Sequence, residues 1–423
     1  MLTKILRNIL SDREDDYTFY ACDDTLLSVE PKKDFGLYIH VPFCRSMCPY
    51  CPYTKVFYDK TLVGEFKKAI IREIKLYSKK LGRRNFSSIY IGGGTPTLII
   101  EELKDILGEL RACFDITGPI AIETIPSDVT PYKLDSLKQL GVNYISLGVQ
   151  SFNHKYLSLV GRNYDVSDAE KAIELIKEKS FDLLNIDLIF AYPRQEIQEL
   201  QVDLAQALSF KPEQVTCYPL FTFPYTSVGK YMEIKKLIMP PVRKRKKMYY
   251  LICDFFNKNS FHQSTVWGFN RNNTGAYSSV TRDYYIGLGT GAATYTGEGF
   301  YFNTFSLPDY IKTSNERIPI ALRMKVSQRL RKLFWLYWRL YETGISIEDY
   351  KKEFLVDIEE DFGFLLNLSR WLQLADSKSP STLKLNNIGS HWIHLLQNHY
   401  ALNYVSKVWS LCQREPWPNK ISL

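Results

Sequence analysis

The chain has 423 residues, 45% of them hydrophobic, and carries a formal net charge of +8 with both signs spread along its length. A chain this long exceeds what one hydrophobic core usually supports and predicts two domains, without the need of disulfide staples. No run of eighteen apolar residues exists to cross a membrane, and the opening MLTKILRNILSDREDD lacks the long apolar stretch and cleavage site of a signal peptide, so the expected location is cytoplasmic.

In chain order, an extension over 1–34 precedes the first strand, expected at 37–41. A short loop then carries Cys44, Cys48 and Cys51. Helical periodicity follows over 62–80, a strand over 88–91, and a helix over 101–113. The alternation continues with strands at 120–125, 144–149, 183–190 and 214–218 and helices at 131–140, 167–179 and 196–209. Ser167 and Asp168 suit a helix start, and Gly141 suits a helix stop. Most of the strand candidates are continuous apolar runs, as in parallel strands covered on both faces. Six β-α units in a row predict an α/β barrel or partial barrel whose chemistry sits at the C-terminal strand ends. That core is assigned to 35–240. After Pro240 the character changes to a second domain over 241–423, in which YYIGLGTG reads as a strand and glycine turn at 284–291, and 320–423 reads as helices.

The segment Tyr38-Ile39-His40-Val41-Pro42-Phe43-Cys44-Arg45-Ser46-Met47-Cys48-Pro49-Tyr50-Cys51 carries the strongest chemical signal. Thiolates are soft ligands suited to iron–sulfur clusters and zinc. Cysteines spaced C-x3-C-x2-C on one loop can hold three corners of a [4Fe-4S] cubane and leave the fourth iron open to chelate S-adenosylmethionine (SAM). Structural zinc, completed by His40 or a distant residue, is the alternative, but it normally takes four closed ligands and no second paired motif is present. The Gly92-Gly93-Gly94 turn, with Thr95, offers a close-approaching backbone cradle for the SAM amino group, or is a plain strand-to-helix turn. Glu123 can take ribose hydroxyls as acidic residues do at dinucleotide sites. Gln150 and Asp187 lie at successive strand ends, and Arg162 can pair with a carboxylate. Aromatic side chains such as Tyr218 and Phe223 can exclude water from a reactive site. The basic run at 243–247 reads as a solvated helix start, with nucleic acid the disfavoured alternative. His391 and His394 read as decorations of a packed helix, since a metal there needs more ligands.

At YIHVPFCRSMCPYC, YIGGGTPT, IET, GVQSF with Gly161-Arg162, NIDLIFAYP and YYIGLGTGA the sequence resembles the HemN-like branch of the radical SAM superfamily. That branch includes oxygen-independent coproporphyrinogen III oxidase, the haem chaperone HemW, anaerobic haem-degrading enzymes, and class C methyltransferases and cyclopropanases. The resemblance implies a partial (β/α)6 barrel with a mainly helical C-terminal domain, a [4Fe-4S] cluster, and one or two SAM molecules. Tyr38, Gly93, Glu123, Phe221 and Ala293 would hold the cluster-bound SAM. Tyr50, Gly94, Thr95, Gln150, Arg162 and Asp187 would surround the second. It further implies a tetrapyrrole or similar large substrate and an electron donor such as flavodoxin or ferredoxin. The chemistry implied is an oxidation, a methyl or methylene transfer using the second SAM, or haem carriage without turnover. Two positions depart from the pattern: Tyr53 stands where the oxidases carry a further cysteine, and Gly275-Ala276-Tyr277-Ser278-Ser279 lacks the histidine of the chaperones' haem motif.

Overall fold

The computed structural model describes residues 17–29, 34–233, 237–271, 283–376 and 381–423. The parallel core holds β2 (Phe35–Val41), β3 (Asn85–Gly93), β4 (Ile120–Thr124), β5 (Tyr144–Gln150), β6 (Leu183–Phe190) and β7 (Gln214–Pro219), after an N-terminal strand β1 (Thr18–Ala21). These six pair in sequence order, all parallel. Parallel neighbours need a crossover, supplied by α1 (Lys60–Leu81), α2 (Ile100–Cys113), α3 (Pro131–Gln139), α4 (His154–Leu159) with α5 (Val166–Glu178), and α6 (Ile197–Ser209). Burial explains the continuous apolar runs: in β6 every residue except Asp187 is buried.

The helix ends obey local chemistry. Gly141 adopts φ +74° after α3, as a helix stop requires. The cap of α5 is Asp165 rather than Ser167, because Asp165 and Asp168 form a reciprocal capping box. Helix α4 is too short for its periodicity to register in the sequence.

The C-terminal region extends the same sheet. Strand β10 (Tyr285–Leu288) lies parallel to β2 as a seventh parallel strand, with Gly287 opposite Tyr38. The sheet continues antiparallel through β11 (Ala293–Tyr295), β12 (Gly299–Asn303) and β13 (Ile320–Lys325), then β1 and β14 (Lys420–Ser422). On the other edge, β8 (Phe261–Gln263) and β9 (Gly268–Arg271) follow β7. The strand order is linear, so the barrel is partial. The expectation of helices alone over 320–423 needs correction. Strands β13 and β14 lie there, with a small sheet of Gly344–Ser346, Ala375–Asp376 and Thr382–Leu385. Pieces of two to six residues give too few alternations to announce themselves. The region is nonetheless mainly helical, with α8 (Gln328–Tyr341), α9 (Asn387–Tyr400) and α10 (Ser406–Cys412), after α7 (Val242–Lys258). Among the described residues no helix is long and apolar enough to cross a membrane.

Candidate cluster and cofactor centre

The loop after β2 carries the three cysteines, Cys44 buried and Cys48 and Cys51 half-buried, all as free thiols. A turn closes the loop, the Cys51 N–H donating to the Cys48 carbonyl at 3.3 Å. The Lys55 ammonium donates to the Cys48 and Cys51 carbonyls at 3.2 and 3.1 Å, bringing a cation to the thiols. Burial pushes the Cys44 thiol up to about 11; the neighbouring Cys51 and Cys48 sulfurs push the same way, and Lys55 opposes them. The three sulfurs are thus electrostatic neighbours. Among the described residues no three His, Cys, Asp or Glu side chains converge closely enough for a single metal ion. A cubane takes its thiolates on three separate irons, so its ligands surround a volume rather than a point. Three thiols on one braced loop fit that requirement.

The glycine turn lies directly on this loop. Gly94 and Thr95 donate their N–H groups to the Val41 and Phe43 carbonyls at 2.7 and 2.8 Å. A Cβ at Gly94 would stand 2.5 Å from the Phe43 oxygen and 2.9 Å from the Cys44 Sγ, and Gly93 adopts φ +114°. Only glycine permits both the approach and the backbone conformation. The Gly93 N–H donates to Glu123 Oε2 at 3.1 Å, and the Tyr90 hydroxyl donates to Oε1. Burial pushes the Glu123 carboxyl up to about 7 against the Tyr90 hydrogen bond, with the Asp187 charge adding to the rise.

Asp187 sits on a polar ladder. Ser146 Oγ and Asn185 Nδ2 each donate to its carboxylate at 2.9 Å, and burial pushes it up to about 6 against those bonds and the Arg162 charge. Gln150 adopts φ +71°, a costly backbone for a residue with a side chain. It is held there by the Tyr192 hydroxyl on its carbonyl at 3.1 Å and the Tyr218 hydroxyl on its Oε1 at 2.7 Å. Arg162 donates to the Tyr50 hydroxyl at 2.9 Å, while its buried Nε has no protein partner. A guanidinium with a spare donor suits an anionic group of a ligand.

The remaining expected contacts are more dispersed. The Thr54 carbonyl accepts from His40 Nε2 at 2.9 Å, so Nδ1 is free to accept from the Tyr38 hydroxyl at 2.8 Å. Burial pushes His40 down to about 4, which keeps it neutral. Ala293 opens β11, its carbonyl packed against Gly287, the residue opposite Tyr38. Phe221 lies beyond β7, edge-on to Trp267 at 5.5 Å. Sequence reasoning missed Lys55, Tyr90, Ser146 and Asn185. Tyr90 precedes Gly92 by two residues and Asn185 precedes Asp187 by two, so strand alternation places each pair on one face.

Elsewhere, Lys244 of the basic run pairs with Glu196 at 2.7 Å, and Lys246 stands over the Tyr250 ring at 5.4 Å. His391 and His394 are buried, and His394 accepts from Trp267 Nε1 at 2.9 Å. The stretch 275–279 lies outside the described residues.

Residues 38–204 match the family model of the radical SAM superfamily. The haem chaperone HemW of Bacillus subtilis is 30% identical over 287 residues, which cover 66% of this chain and 76% of that protein. Anaerobilin synthase of Escherichia coli O157:H7 is 25% identical over 402 residues, covering 92% and 88%. In structure the chain is similar to coproporphyrinogen III oxidase (HemN) of Escherichia coli, a radical SAM enzyme, with a TM-score of 0.76 over 88% of this chain and 92% of that one at 20% identity. Loop, turn, fold and relatives agree: the chain belongs to the HemN/HemW branch of the radical SAM superfamily.

Proposed function

We propose that this chain cleaves SAM reductively at a [4Fe-4S] cluster on Cys44, Cys48 and Cys51 and turns the reaction on a haem-like tetrapyrrole. The observation that carries the reading is the contact of the glycine turn with the cysteine loop, which gathers three thiols, the Cβ-free backbone of the turn and the Glu123 carboxylate at one end of the sheet. When bound, the reduced cluster and SAM supply a 5′-deoxyadenosyl radical. The chain's own residues bind and orient. Tyr38, Gly93, Glu123, Phe221 and Ala293 hold the SAM at the cluster, Glu123 accepting from ribose hydroxyls. Tyr50, Gly94, Thr95, Gln150, Arg162 and Asp187 serve a second SAM or an anionic edge of the substrate, with Arg162 the charge partner. Tyr218 and Phe223 exclude water. The electron comes from a donor of the flavodoxin or ferredoxin class, and the names of the relatives support a tetrapyrrole substrate.

Anaerobic reconstitution with iron and sulfide, followed by reductant and SAM, tests the reading by mass spectrometry. Formation of 5′-deoxyadenosine by the wild type and none by Cys44→Ala is the expected result. An intact cluster that yields no 5′-deoxyadenosine overturns it. The similarity to HemW favours a second reading, haem carriage without turnover. Saturable haem binding without SAM cleavage is its signature.

A further inference from the structure

Helix α1 turns an apolar face inward, with Val63, Phe66, Ala69, Ile70, Ile74 and Tyr77 buried, yet Glu73 is fully buried in the same face. A carboxylate there is costly unless hydrogen-bonded, and its three partners are all neutral. The Gly289 N–H and the Tyr310 hydroxyl donate to Oε2 at 2.9 and 2.5 Å, and Asn303 Nδ2 donates to Oε1 at 2.7 Å. The same Asn303 amide donates to the Gly289 carbonyl at 2.9 Å. Both backbone groups of Gly289 are therefore tied to this hub, directly or through Asn303.

What the Gly289 turn touches gives the hub its meaning. Gly289 and Gly291 adopt φ of +99° and +68°. A Cβ at Gly289 would stand 2.4 Å from the His40 carbonyl oxygen, and one at Gly291 would stand 3.1 Å from Thr54 Oγ1. His40 lies four residues before Cys44 and Thr54 three after Cys51, and the two are joined by the 2.9 Å bond from His40 Nε2 to the Thr54 carbonyl. The turn thus packs on both ends of the cysteine loop.

We propose that Glu73 is a positioning residue for the cluster: it anchors the 289–291 turn, and the turn holds the two ends of the cysteine loop at their separation. The proposal rests on the cluster assignment to this loop, and no residue in it ligates iron. Glu73→Gln keeps the volume but replaces one acceptor oxygen with a donor amide, so at least one of the three donors loses its partner.

Hydrogen–deuterium exchange of the apo protein reads the anchor. Amides of 286–293 are expected to exchange about tenfold faster in Glu73→Gln, the factor that loss of one ordinary hydrogen bond implies. Electron paramagnetic resonance of the reduced, reconstituted protein reads the consequence: a changed line shape, and about tenfold more SAM needed to perturb the signal. Tyr310→Phe removes a single donor at constant shape, serves if Glu73→Gln does not fold, and is expected to shift both readouts the same way by less. Exchange that rises while the resonance and SAM titration match the wild type overturns the proposal, as does no change in either. A wild-type protein that takes up no cluster removes the cluster assignment itself, an outcome distinct from variants that match a cluster-bearing wild type.

Discussion

Glu123 and Asp187 owe their chemistry to burial among neutral donors, which raises them to about 7 and about 6. A carboxyl raised above its unfolded value keeps a proton that the unfolded chain has released. The native state then binds more protons, and stability falls as pH rises from the ordinary carboxylate range to about 7. Buried His40, His391 and His394, pushed down to about 4, 4 and 3, act oppositely, because the unfolded chain protonates them first. The difference between wild type and Glu123→Gln isolates one carboxyl: melting of the apo variant should lose part of the decline between pH 5 and 7. Identical pH slopes would show that burial does not raise this group. Glu123, Gln150 and Asp187 were legible because polar residues at the ends of apolar parallel strands need a reason. Tyr90, Ser146 and Asn185, which hold them, read as ordinary strand residues until the strands are paired.

At the scale of elements, the C-terminal segment covers the cysteine loop. Trp409 of α10 lies 5.3 Å from the Tyr53 ring and stacks at 6.3 Å on Phe223. Gln413 Nε2 and the Tyr225 hydroxyl both donate to the Pro52 carbonyl, at 3.1 and 3.0 Å. Tyr53, at the position where the related oxidases carry a cysteine, thus serves as the docking ring for a helix. Trp409→Ala should cost roughly 2 kcal/mol, less than a fully buried tryptophan because the ring is only partly buried. It should also speed the loss of the reconstituted cluster's visible absorbance in air. Wild-type bleaching kinetics would show that the segment does not shield the loop. Helix α10 was readable as a helix, but its placement over a loop some 360 residues earlier was not, since nothing local encodes it.

At the scale of the molecule, one hydrophobic core runs from Phe19 to Ile421, and a satellite around Trp335, Tyr350 and Phe362 packs within the C-terminal region. Strand β1 lies between β13 and β14, so both ends of the described chain close the same sheet edge. Deleting 418–423 removes β14 and bares the β1 edge. Calorimetry of the apo protein should then show the main transition shifted downward as a whole, because the edge belongs to the main core. A shift confined to a minor transition would show that the edge folds independently of the parallel strands.

The sequence by itself determined the six parallel strands, their crossover helices apart from the short α4, the cysteine loop and the glycine turn. Apolar runs, cap residues and thiol spacing are local, and each carries its meaning within a few residues. The tertiary structure alone decided that β10 joins β2 as a seventh parallel strand and that the termini share an edge. It also decided that Glu73, within the helix expected over 62–80, is buried behind the turn that touches His40 and Thr54. Those arrangements come from strand pairing and helix packing between residues hundreds of positions apart, and the buried carboxylate persists because three donors from distant segments meet it there.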